Sequence, residues 1–324
     1  IICRLSYVYS YLHEVVKAIP FICEGNSVTR SNNNGRALEA RLVDIICQQN
    51  SQIVLLGTTQ QDQVRDLAYF GALPVYQQQL FSEFSEKYSD ELCVQNIATI
   101  ERLKDSAAVA GDVTDIRIIY TDGTIRNISL KHNHDACKHQ RPGALISNQL
   151  GINNPVLDTQ YRNELTAIER NFKSFVLPTD RNENGDYLFN LVKARAPYLI
   201  TNLYEDVCNL VLKYLTNYAD AHAIQRYFRF LVGNTNFEKV MLDPSSRTIW
   251  IKDFSNIQDA HRIDEAYIDP ESGYLIVKFD NNFILNMRLH TASSRFNLNS
   301  SLSLKFDSSV DMNNAPVPVK IIQF

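Results

Sequence analysis

Apolar positions in the first hundred or so residues recur at helical spacing. "GRALEARLVDIICQQ" sets Leu38, Leu42, Ile45 and Ile46 on one face, and "QDQVRDLAYF" and "LFSEFSEKYSDELCV" follow with similar spacing, so this part of the chain is predicted to be mainly helical. The polar run "SVTRSNNNG" reads as a break before the first of these helices. The period then shortens to two. "DIRIIY" and "TIRNISLK" are short and rich in β-branched residues, and "TDG" between them predicts an antiparallel hairpin. After "RPGALISNQLG", helical spacing returns from about residue 160 to about residue 231, through "YLITNLYEDVCNLVLKYLTNY" and "AIQRYFRFLV". "KVMLD", "TIWIKDF", "YLIVKF", "FILNMRL" and "LSLKF" then read as strands separated by Asp-Pro, Ser-Gly and Asn-rich turns. This shift near Asn234 divides the chain into a helical and core region, 1–233, containing the hairpin 112–131, and a β-rich segment, 234–324.

Composition adds the class. With 324 residues, 45% hydrophobic and 21% charged, the chain can bury one large core or two smaller ones. Its six cysteines are scattered without a CxxC pair, which predicts reduced thiols in a cytoplasm rather than a disulfide framework. The start "IICRLSYVYSYLHEVV" lacks the basic, apolar and small-residue order of a signal peptide, and no run approaches bilayer length, so a soluble protein with no membrane partner is expected. The formal charge of −4 is unpromising for a polyanionic partner. Surface charges more than roughly 8 Å apart are largely screened, however, so local clusters matter more than the sum.

The hairpin carries the sharpest chemistry. Asp115 opens its first strand and Lys131 closes the second, so the two can meet across the ladder. A carboxylate beside a lysine supplies what phosphodiester hydrolysis needs: a seat for a divalent metal and a cation near the nucleophile or the developing charge. Ser129, two residues before Lys131, shares its face, and the carbonyl of Leu130 between them is a candidate oxygen ligand. Magnesium keeps several waters, so one or two carboxylates suffice. The ordinary alternatives are that Asp115 caps the strand while Asp112 is the ligand, and that Ser129 is a hydrogen-bonding bystander.

An Asp on one strand followed after a hairpin by an acidic-x-Lys triplet is the pattern of the PD-(D/E)xK nuclease superfamily, which Asp115 and the Ser129-Leu130-Lys131 triplet resemble. "SLKHNHDACKHQRP", with the later "MRLHTASSR" and "SLKF", resembles the restriction endonucleases of the HaeIII type. The resemblance runs from about Glu39 through the hairpin and into part of the C-terminal strands. Two positions depart from the superfamily pattern: Ser129 stands where an acid is usual, and no proline precedes Asp115. Members of the superfamily also draw a glutamate from the helix before the hairpin, which makes Glu39 the candidate second carboxylate; its ordinary reading is a solvated helix residue.

"KHNHDACKH" holds His132, His134, Cys137 and His139, nitrogen and sulfur ligands that suit zinc, although crowded into one segment. The competing reading is DNA contact by His132, His134, Lys138, His139 and Arg141 beside the scissile phosphate. Arg288, His290, Ser293, Ser294 and Arg295 in "MRLHTASSR" supply a second set of donors, with outward strand positions as their ordinary reading.

The resemblance implies an α/β fold, a restriction-endonuclease-like mixed sheet core flanked by helices, with the β-rich segment in DNA recognition. It implies a Mg2+-dependent type II endonuclease on double-stranded DNA, with GGCC as target. Asp115 and Glu39 would hold the metal with Leu130, Lys131 would act on the attacking water, and a cognate methyltransferase would protect the same site. A palindromic site ordinarily implies a homodimer. The rivals are a structure-selective repair nuclease and a non-catalytic or zinc-dependent DNA-binding protein.

Overall fold

In the computed structural model, which describes residues 27–104, 112–132, 139–311 and 317–324, helix α1 (Ser27–Gln49) takes in the polar run predicted to be a break. Asn and Gly lower helix stability by at most about 1 kcal/mol each. The downstream turns outweigh that by burying Ala37, Leu38, Leu42, Val43 and Ile46. The chain then forms β1 (Val54–Leu55), α2 (Thr59–Gly71), α3 (Val75–Ser89) and β2 (Ile97–Arg102). The two strands lie in a region expected to be mainly helical, and β2 pairs on one side with β1 and on the other with the first strand of the hairpin, Ile116–Tyr120.

The hairpin consists of β3 (Ile116–Tyr120) and β4 (Ile125–His132). At its turn the Asp122 carboxylate accepts from Thr124 N at 2.8 Å, and Gly123 sits at φ +84°, where a side chain would be strained. β5 (His139–Gln140), α4 (Ile146–Gln149), α5 (Pro155–Ser174), β6 (Tyr187–Leu188), α6 (Phe189–Arg195), α7 (Pro197–Tyr218) and α8 (Ala221–Val232) follow. The rest is strand: β7 (Glu238–Asp243), β8 (Thr248–Asp253), β9 (Ile263–Ile268), β10 (Leu275–Phe279), β11 (Ile284–Thr291), β12 (Arg295–Phe296), β13 (Leu304–Val310) and β14 (Val319–Gln323).

A seven-stranded sheet runs β1-β2-β3-β4-β7-β8-β14. It is mixed: β1 and β2 are parallel, as are β4 and β7, and the other neighbours are antiparallel. Parallel neighbours need a crossover, and α4 to α8 lie within the one joining β4 to β7. The second sheet, of five strands, runs β5-β13-β11-β10-β9. A two-stranded sheet pairs β12 with β6, and the other strands beyond residue 234 divide between the two larger sheets. One apolar core joins α1 and α3 to β2, β3, β4, β7 and β8; the other joins α4 to α8 to the second sheet. The chain is an α/β protein built on a mixed sheet flanked by helices, with a β-rich C-terminal segment. Among the described residues no helix is long and apolar enough to cross a membrane.

Candidate active site

Asp115 stands at the entrance to β3, fixed by its backbone. Its N–H donates to the Ile128 carbonyl at 2.8 Å and its own carbonyl accepts from Leu103 N at 2.9 Å. The side chain then faces β4, where three donors converge on Oδ2: Leu130 N at 2.7 Å, Lys131 Nζ at 3.1 Å and Ser129 Oγ at 3.3 Å. The alternation of a strand explains this, because Ser129 and Lys131 share a face. Ser129 is buried. Asp115 and Lys131 keep 25% and 28% of their side chains exposed, so a ligand can reach both.

The N–H and C=O of one strand residue leave on the same side. Leu130 turns its N–H toward Asp115, so its carbonyl leaves on that side too, away from the β7 ladder. Asp112, the alternative to Asp115, is engaged elsewhere: it accepts from Arg117 Nη2 at 2.7 Å and from Thr114 N at 3.1 Å. Burial raises its carboxyl, but the Thr114 and Arg117 bonds outweigh that and hold it below the usual range.

Glu39 projects from α1 and accepts from Arg102 Nη2 at 2.9 Å. Burial first, and then the negative charge of Asp115, push its carboxyl up to about 7 against the opposing pull of Arg102 and Lys131. Glu39 thus lies within the electrostatic reach of both hairpin residues. Two carboxylates and a carbonyl would make an all-oxygen donor set, whose chemistry fits a hard divalent cation such as magnesium. Among the described residues no group of three or more His, Cys, Asp or Glu side chains is arranged to hold a metal.

Behind Glu39 stands a group that the sequence did not disclose. Arg102, at the end of β2, donates from Nη1 to Gln63 Oε1 at 3.0 Å and from Nη2 to Asp66 Oδ2 at 2.8 Å as well as to Glu39. Asp66 has no exposed side-chain surface, and its other face is closed by Arg65, whose Nε donates to Oδ1 at 2.6 Å. No local motif marks these residues. They meet because α1, α2 and β2 pack together.

The residues expected to face DNA part company. His132 packs edge-on against Phe81, ring centroids 5.0 Å apart, and burial lowers its imidazole. His134, Cys137 and Lys138 lie outside the described residues. Arg141 is exposed. His139, Arg288 and His290 gather around Asp307 on neighbouring strands: His139 Nδ1 lies 2.6 Å from Oδ1, and His290 Nε2 and Arg288 Nη2 lie 2.7 and 3.3 Å from Oδ2. Lys305 joins them at 3.5 Å. One carboxylate thus serves two histidines, an arginine and a lysine. Burial and the Lys305 charge lower the His139 imidazole in spite of Asp307. Asp307 and Lys305 escaped the sequence reading, although "SLKFDSS" does show the alternation that puts both on one face. Ser293, Ser294 and Arg295 are exposed near β12, where Arg295 pairs with Asp186 at 2.8 Å.

No family model matches this sequence, and no curated protein matches it. Among solved structures the chain is similar to the crystal structure of the restriction endonuclease MspI in complex with its cognate DNA. The identity is 13%, over 75% of this chain and 82% of that chain, with a TM-score of 0.25, a likeness too slight to carry a conclusion.

Proposed function

We propose that this chain is a type II restriction endonuclease, hydrolysing phosphodiester bonds of double-stranded DNA at a short specific site. The observation that carries the reading is the convergence of Lys131 on Asp115 across the hairpin, with the Glu39 carboxylate within electrostatic reach of both. Asp115, Glu39 and the Leu130 carbonyl would hold magnesium, which when bound supplies Lewis-acid charge at the phosphate and lowers the pKa of its water. Lys131, steadied by Asp115, presents an ammonium to the attacking water and to the charge that develops on the phosphoryl oxygens. Ser129 takes the place of the usual acid and works through its bond to Asp115.

His139, Arg141, Arg288, His290, Ser293, Ser294 and Arg295 supply the DNA contacts in this reading, while His132 is a packing residue. The resemblance of "SLKHNHDACKHQRP" and "MRLHTASSR" to the HaeIII type supports GGCC as the target. A palindromic target fits a homodimer, and the activity implies a methyltransferase protecting the same sequence in a cytoplasm.

The test is digestion of an unmethylated phage genome by the purified protein, with magnesium and then with chelator. Discrete magnesium-dependent fragments ending at one sequence are expected. Smears would identify a nuclease that cuts by shape, and no cleavage with magnesium or manganese would overturn the reading. The non-catalytic alternative has one observation in its favour, a buried Ser129 in the position of a metal-binding acid.

A further inference from the structure

The strongest feature left unused by the mechanism is the buried charge chain behind Glu39. Arg102 keeps only 5% of its side chain exposed. Its guanidinium is held on α2 by two acceptors, Gln63 Oε1 at 3.0 Å on one nitrogen and the buried Asp66 Oδ2 at 2.8 Å on the other. The backbone N–H of Arg102 also donates to Thr59 Oγ1 at 2.9 Å, which ties β2 to the start of α2. With backbone and guanidinium both fixed, Nη2 has one place to be, and at that place it donates to Glu39 Oε2 at 2.9 Å.

We propose that Arg102 is a positioning residue: locked by Asp66 and Gln63, it holds the Glu39 carboxylate in place for a divalent cation shared with Asp115. The proposal deepens the nuclease reading and rests on it. A guanidinium suits this task because its donors leave in a rigid fork and can serve three acceptors at once, which an ammonium on a flexible stem does not do in one fixed geometry. Groups that orient a metal ligand in this way typically contribute 10- to 100-fold to metal affinity. Arg65 closes the outer face of Asp66 and keeps its carboxylate turned inward.

The test measures Mn2+ binding to the full chain by electron paramagnetic resonance, without DNA and independent of cleavage. Arg102→Met is expected to weaken binding by roughly 10- to 100-fold. That variant leaves Asp66 buried without its inner partner and can fail to fold, so Arg102→Met/Asp66→Leu is measured beside it. Replacing both members of a buried pair by apolar groups is often neutral or stabilising. The double variant should therefore regain its urea midpoint while its Mn2+ affinity stays low, a split that a purely structural arginine would not produce. A stably folded double variant binding Mn2+ within about twofold of the wild type, far inside the expected 10- to 100-fold loss, would overturn the role of Arg102. Glu39→Gln separates the two levels. If it weakens Mn2+ binding while the double variant does not, only the proposal for Arg102 falls; if it binds like the wild type, or the wild type binds none, the reading of the metal site falls and the proposal with it.

Discussion

Glu39 gives the most demanding prediction, because the same carboxylate that would serve a cation is a burden without one. Its carboxyl ordinarily titrates at 4.5 and is pushed up to about 7 in the folded chain, chiefly by burial and then by Asp115. Below 4.5 the residue is protonated folded or unfolded. Between the two values the folded chain holds a proton that the unfolded chain has lost, so the associated stability disappears as pH rises through about 7. At about 1.4 kcal/mol per pH unit, the displacement amounts to about 3 kcal/mol at pH 8. Glu39→Gln mimics the neutral carboxyl and escapes this cost. The opposing consideration is the lost bond to Arg102. Arg102 keeps Asp66 at 2.8 Å and Gln63 at 3.0 Å, so it is not left as an orphaned cation. The electrostatic relief should therefore win. Urea unfolding in chelator should find the variant close to wild type near pH 4 and about 3 kcal/mol more stable at pH 8. Carboxylates away from this cluster titrate alike in both proteins and cancel in the difference, which leaves Glu39 and its coupled neighbour Asp115 as the groups that set it. Magnesium should narrow the gap, because the ion favours the ionised wild-type site. A difference that is flat with pH, or a variant less stable at pH 8, would refute this account of the Glu39 environment.

Three further outcomes follow from other parts of the molecule. Lys131→Ala should slow cleavage by about a thousandfold, about 4 kcal/mol of barrier, while its half-buried, solvent-accessible ion pair with Asp115 contributes only about 1 kcal/mol to stability; single-turnover rates and urea midpoints check both, and a joint collapse of binding and folding would make Lys131 structural. Arg288→Ala should weaken DNA binding and flatten the slope of log affinity against log salt by about one; anisotropy titrations at several salt concentrations with an unchanged slope would remove Arg288 from the phosphate contacts. Gly151→Ala should cost about 3 kcal/mol or more, because a Cβ there would lie 2.1 Å from the Ala223 carbonyl oxygen at a φ of +69°; an urea midpoint near wild type would show that α8 can shift to admit it.

The hairpin, the helical stretch after it and most C-terminal strands were legible in sequence, since period-two and helical spacing follow from local burial. Asp115 and Lys131 were legible for the same reason: strand alternation and one tight turn bring them together whatever else the chain does. β2 was not, because "IATIER" is short and adjoins helices of stronger pattern. Its identity as a strand comes from β1 and β3 on either side. The engagement of Asp112 by Arg117 was likewise not legible, because that contact is made only in the folded sheet. Local sequence thus determined the elements and the pair within one hairpin. Arg102 holding Glu39, and Asp307 gathering His139, Arg288 and His290 from the two neighbouring strands, were decided by the packing of separate elements, where burial and opposite charge select partners that no spacing announces.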